Sequence, residues 1–148
     1  MITDHVWWPG ASDTFYVANI PENTARVNYY GVNAVPQVYI DGLINGESAG
    51  PWEQMMLDRR AVESPLTISV SGVMLTATTG QITAAITNTG GAAVSGALHF
   101  VLVESNCTYL GKTYNHVMRD YIPGDASGEQ VSIAPTENIT RTTDFTLK

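Results

Sequence analysis

Beyond Pro65 the apolar residues fall on every second position, and that spacing constrains the fold more than any other feature of the chain. Leu66, Ile68 and Val70 alternate with Thr and Ser, and Ile82, Ala84 and Ile86 repeat the pattern. A period of two gives an extended strand one apolar and one polar face, so this half predicts antiparallel strands with one wet side. Thr79-Gly80 and Asn88 to Gly91 supply turns between them. "ALHFVLVES" is apolar on both faces, as a central strand is, and "NHVMRDYI", "QVSI" and "NITRTTDFTL" predict further strands. About six or seven short strands at this spacing predict an immunoglobulin-like sandwich. The last of them ends the chain with no obvious closing partner.

Ahead of Pro65 the periodicity is helical, which predicts a border there, with one module over 1–63 and another over 64–148. "HVWWPG" reads as a short buried strand stopped by Pro9-Gly10. Ser12 or Asp13 can cap a helical turn through Phe15, Tyr16 and Val17. Pro21 can open a second helix at its first position, carrying Ala25, Val27 and Tyr30 to Gly31. "GVNAVPQVYIDG" then predicts a proline turn, a strand from Gln37 to Ile40 and a hairpin turn at Asp41-Gly42, with Leu43 and Ile44 returning. Gly50-Pro51 starts a third helix to about Glu63, with Trp52, Met55, Met56 and Val62 as its apolar face.

A chain of 148 residues can bury one good core, or two small ones that share surface. Apolar residues make up 44% and charged residues 14%, too apolar for disorder. Seven Lys and Arg against 14 Asp and Glu give a formal charge of −7 without a basic stripe, so nucleic acid is not an expected partner. No apolar run approaches the roughly 20 residues of a transmembrane helix. Met1 to His5 lacks the basic and apolar regions of a signal peptide, so export would need a signal outside this chain. Cys107 is the only cysteine, which excludes an intramolecular disulfide, a Cys-x-x-Cys pair and a thiolate-rich zinc site.

"HVWWPG…DTFY", "ENTARVNYYGVNAVPQVYIDG" and "LHFVLVE…YNHVMRDYIPG" resemble the 28-kilodalton outer-membrane protein family of Bacteroidetes-type bacteria. In that family a thioredoxin-like half precedes a β-sandwich half. The resemblance runs from His5 to about Pro135. It implies an α+β two-module fold, a truncated thioredoxin-like α/β unit followed by an immunoglobulin-like sandwich, and a cell-envelope or secreted location. It also implies that Pro36 is the cis-proline of the thioredoxin-like unit. Family members carry a strand and a Cys-x-x-Cys helix before the segment equivalent to "HVWWPG", and this chain starts after that point. It looks truncated at both ends of the family pattern. A sheet without its first strand exposes an edge, and exposed edges pair with other chains, so a homodimer is expected.

The expected function is therefore non-catalytic binding, since disulfide exchange needs two thiols, with no cofactor. Trp7, Trp8, Tyr30, Pro36 and Tyr39 are the candidate binding residues, for a protein, peptide or glycan ligand. Core packing is the plainer account of the same rings. The competing class is a small hydrolase or metal-dependent enzyme. It would use Ser105 or Ser12 as nucleophile, His116 with Asp120 as acid–base groups, or His99 and His116 as metal ligands. No Gly-x-Ser-x-Gly elbow accompanies those serines. On a regular strand His116 and Asp120 share a face but lie roughly 13 Å apart, beyond a direct hydrogen bond.

Overall fold

A computed structural model of the chain describes residues 1–8, 10, 13–46, 50–124 and 127–147. Antiparallel β-sheets dominate it, preceded by a few short helices. Helix α1 (Thr14–Ala18) starts where Asp13 Oδ1 accepts from the Phe15 and Tyr16 amides at 2.9 and 2.8 Å. Ser12, the other candidate cap and nucleophile, lies outside the described residues. Helix α2 (Ile20–Tyr30) is capped by Asn19, carries Pro21 in its first turn and stops at Gly31, whose φ of 61° is left-handed. Strands β1 (Tyr39–Ile40) and β2 (Ile44–Asn45) form a hairpin. Its bend uses left-handed φ values of 51° at Asp41 and 67° at Gly42. The peptide bond between Val35 and Pro36 is cis, as is that between Ile122 and Pro123.

Helix α3 (Trp52–Arg60) departs from expectation, because it stops before Val62, none of its residues is buried and Met56 and Leu57 are about half exposed. It is held at its ends, by Trp52 Nε1 donating to the Gly46 carbonyl at 2.8 Å and by Arg59 Nε donating to Asp41 Oδ2 at 2.7 Å.

Three strands, β3 (Leu66–Met74), β4 (Thr79–Asn88) and β11 (Asn138–Thr146), form a sheet in the order β11-β4-β3. The C-terminal strand thus has a partner, pairing with β4 over all nine of its residues. The turn before β4 falls earlier than Thr79-Gly80, because Thr76 Oγ1 accepts from the Thr78 and Thr79 amides and closes the chain there. Strand β5 (Val94–Leu98) pairs with β10 (Glu129–Ile133), and β6 (Phe100–Glu104) pairs with β9 (Val117–Ile122). The predicted central run "ALHFVLVES" is therefore two strands, broken at His99. Ala84 and Ile86 of β4 meet Ile133 of β10 in one buried cluster, with Leu66, Leu98, Phe100 and Ile139 packed around it.

A second cluster joins the helical third to the strands. Phe15 packs with Val117 and with Cys107, which begins the short strand β7 (Cys107–Tyr109) opposite β8 (Lys112–Tyr114). Thr3 forms a parallel bridge with Val117, its amide donating to the His116 carbonyl at 2.8 Å and its carbonyl accepting from Met118 at 3.0 Å. Between Leu102 and Val103 the β6–β9 register slips, leaving Arg119 as the extra residue of a bulge. The Arg119 carbonyl accepts from Asn19 Nδ2 at 2.9 Å, so the bulge meets the cap of α2.

Candidate functional site

The N-terminal segment, α2, the loop after Gly31 and β9 enclose a cavity of about 810 Å³. One wall is set by a long-range bridge and the others by local chemistry. The Thr3 bridge sets Asp4 and His5 beside β9, and the His5 amide donates to Oδ1 of buried Asn23 at 2.8 Å. On α2 the spacing of Asn23, Arg26, Val27 and Tyr30 puts all four on one face, and the last three line the cavity. The chain then turns at Gly31 and brings Pro36, Gln37 and Tyr39 back across it.

Aromatic rings order the site. Tyr39 stacks on Tyr30 with centroids 4.3 Å apart and donates its hydroxyl hydrogen to the Tyr30 carbonyl at 2.5 Å. The Arg26 guanidinium carbon lies 4.8 Å from the ring centres of both Tyr30 and Tyr121 and 5.0 Å from that of Tyr29. Arg26 Nη2 also donates to the Tyr30 hydroxyl at 3.0 Å. Tyr121 donates its hydroxyl hydrogen to Asp4 Oδ1 at 3.0 Å. Three buried polar atoms of cavity-lining residues have no hydrogen-bond partner among the described residues: Arg26 Nε, Gln37 Oε1 and His5 Nε2. The other imidazole nitrogen of His5 is engaged, lying 3.1 Å from Asp13 Oδ2.

Of the candidate binding residues, Trp8, Tyr30, Pro36 and Tyr39 line this one cavity. Trp7 sits beside it, its ring edge-on to Trp8 at 4.6 Å. Ser105 Oγ accepts from the His116 backbone amide at 3.1 Å, so the two meet through the main chain. His116 has a φ of 57° and precedes β9, so the strand alternation with Asp120 does not extend to it. His99 lies edge-on to Tyr121 at 6.0 Å. Among the described residues no three of His, Cys, Asp and Glu converge as metal ligands.

Arg26, Gln37, Asp4, His5 and Tyr121 belong to the site without having been singled out. One signal was present: Arg26 is the only Lys or Arg before Arg59, and it precedes Tyr30 by one helical turn. The others depend on the pairing of the N-terminus with β9, which no local pattern announces.

Burial raises the Asp4 carboxyl above its ordinary value of 3.8, outweighing the Tyr121 hydrogen bond and the Arg26 and His5 charges that pull it down. Tyr121 is raised as well, first by burial and then by the Asp4 charge. Folded Asp4 therefore holds its proton more tightly than unfolded Asp4. Its contribution to stability is full below pH 3.8 and is lost as pH rises through the raised folded value. Asp4→Asn keeps an acceptor for Tyr121 and removes the buried charge. Urea midpoints are expected to match wild type at pH 3 and to exceed it at pH 7; a variant weaker at pH 7 than at pH 3, relative to wild type, would contradict this assignment.

The fold and site together define an antiparallel β protein with a helical N-terminal third and an aromatic cavity between the two. Comparison with family models, curated proteins and solved structures returned no match.

Proposed function

We propose that the protein is a non-catalytic binding protein and that the cavity between α2 and β9 is its site. The ligand pairs a flat apolar face with hydrogen-bonding groups, as a peptide or a sugar ring does. The observation that carries this reading is the gathering of Trp8, Tyr30, Tyr39 and Tyr121 with the Arg26 guanidinium on one cavity. Flat rings contribute apolar contact area at low entropy cost, and the polar tips of the tyrosines give direction. The volume lies within the roughly 300–1,000 Å³ of small-ligand sites.

Trp8 and Trp52 line the cavity, so their fluorescence provides the assay. Titration with short peptides and with oligosaccharides is expected to give saturable quenching by one class. Gln37→Leu removes a cavity-lining amide together with the hydrogen bond its Nε2 donates to the Tyr39 hydroxyl at 3.2 Å, so it should weaken binding about tenfold and lower the melting temperature by a few degrees. Saturable binding that is indifferent to Gln37→Leu and to Arg26→Met would place the ligand elsewhere.

The finer fold reading, a thioredoxin-like remnant over 1–63 and an immunoglobulin-like sandwich over 64–148, is part of the same proposal, as is a cell-envelope or secreted location. The order helix, helix, hairpin, helix and then antiparallel strands supports the first. The location rests on the family resemblance and is tested by fractionating the source cells.

A further inference from the structure

One long sheet edge is built as though to be covered. Strand β3 pairs with β4 on one side over all nine residues, and among the described residues no strand pairs its other side. The ladder fixes which backbone groups point outward. The Thr89 amide donates to the Pro65 carbonyl at 2.7 Å and the Leu75 amide to the Thr79 carbonyl at 2.9 Å, so odd-numbered positions bond to β4. Leu66, Ile68, Val70, Gly72 and Met74 therefore turn their N–H and C=O groups off the edge. Their side chains share the face on which β4 carries buried Ala84 and Ile86, yet Ile68 and Val70 are 60% and 65% exposed. The apolar inner face of the sheet overhangs its cover.

Soluble proteins blunt such edges with Lys, Pro or bulges. The other edge of this sheet, β11, carries Arg141 and Asp144. Strand β3 has no such guard: its register is unbroken, it contains no proline, and no Asp, Glu, Lys or Arg occurs between Glu63 and Glu104.

We propose that a second copy of this chain occupies the edge, its β3 antiparallel to the first and centred on Val70. In that register Val70 faces Val70 of the partner subunit, Ile68 faces Gly72 of the partner subunit, and Leu66 faces Met74 of the partner subunit. Ser64 Oγ engages the Leu66 N–H and C=O at 3.1 and 3.0 Å, so the three central pairs carry the contact and about six backbone hydrogen bonds close across the axis. The two three-stranded sheets become one, and their overhanging apolar faces lie on the same side. Each chain carries a formal charge of −7, but none of it lies on the contact strand, so close approach meets no like charge there. With no charge on the strand to repel its own copy and a register that sets Val70 against Val70, a second copy of this chain is the occupant the edge fits.

Sedimentation or light scattering across a micromolar concentration series is expected to show twice the chain mass. Val70→Lys sets a cation against its own copy and should give a monomer at every concentration. Its circular dichroism and melting should remain those of a folded chain, because Val70 is exposed in the single subunit. Mild oxidation should link Val70→Cys into a covalent dimer and leave Ile68→Cys unlinked, since Ile68 opposes glycine; wild type, whose Cys107 is buried, serves as the reference. A wild-type monomer throughout, a dimer that survives Val70→Lys, or equal cross-linking at 68 and 70 would each overturn the proposal.

Discussion

Replacing Asn88 with alanine is expected to destabilise the protein by about 3 kcal/mol and to lower its melting temperature by roughly 10 °C. Asn88 ends β4 and is 0% exposed. Its Nδ2 donates to the Ile133 carbonyl at 2.9 Å and to the Ala92 carbonyl at 2.8 Å, and its Oδ1 accepts from the Gly90 amide at 2.9 Å. One side chain thus fixes the turn after β4 and ties that strand to β10 in the neighbouring sheet. Alanine leaves the buried Ile133 carbonyl without this partner, whereas the groups at Gly90 and Ala92 are open enough to rehydrate in part. Asn88→Asp separates charge from shape. It keeps the acceptor for Gly90 but turns a carboxylate toward two carbonyls, so it should be worse than alanine at pH 7 and recover as acid protonates it. Thermal melts of the three proteins at pH 7 and pH 3 check this. An alanine variant melting within about 2 °C of wild type would mean that the corner is held by the strands alone.

Asn88 also marks the limit of what the sequence disclosed. Asn before Thr-Gly-Gly reads as turn chemistry, and it does precede the turn, but nothing local says that the turn folds inward against Ile133. Alternation fared better where one face is wet, and Ile82, Ala84 and Ile86 fall within a single regular strand. It misled at His116 and Asp120, because a left-handed residue and a bulge interrupt the period of two. Helix ends were legible at Asp13, Pro21 and Gly31, where the signal lies within a few residues. For the cavity, aromatic content drew attention to Trp8, Tyr30, Pro36 and Tyr39, which line one wall system. The charged members escaped because their meaning is relational. Asp4 finds Tyr121 and Glu22 finds the same residue's amide across about a hundred positions of chain.

That second pairing carries the other large expected effect, a loss of about 3 kcal/mol in Glu22→Ala. Asn19-x-x-Glu22 has the spacing of a capping box, and while Asn19 Oδ1 accepts from the Glu22 amide at 3.4 Å, the two side chains also hold another element. Glu22 is 8% exposed, and its Oε2 accepts from the Tyr121 amide at 2.8 Å and from Asn19 Nδ2 at 2.7 Å. The same Asn19 nitrogen donates to the Arg119 carbonyl, so the start of α2 is fastened to β9 at the bulge. Alanine removes the acceptor from a buried strand amide and lets the Asn19 amide swing away. The desolvation of the carboxylate itself is regained, which holds the loss of two charged hydrogen bonds to about 3 kcal/mol. Glu22→Gln, which still accepts from Tyr121, should lose less than half as much. The damage should also be local. Hydrogen exchange is expected to quicken in α1, α2 and β9, while β3, β4 and β11 stay protected, because their ladder makes no use of Glu22. Uniform loss of protection across all strands would show instead that the helical third and the sheets unfold as one cooperative unit.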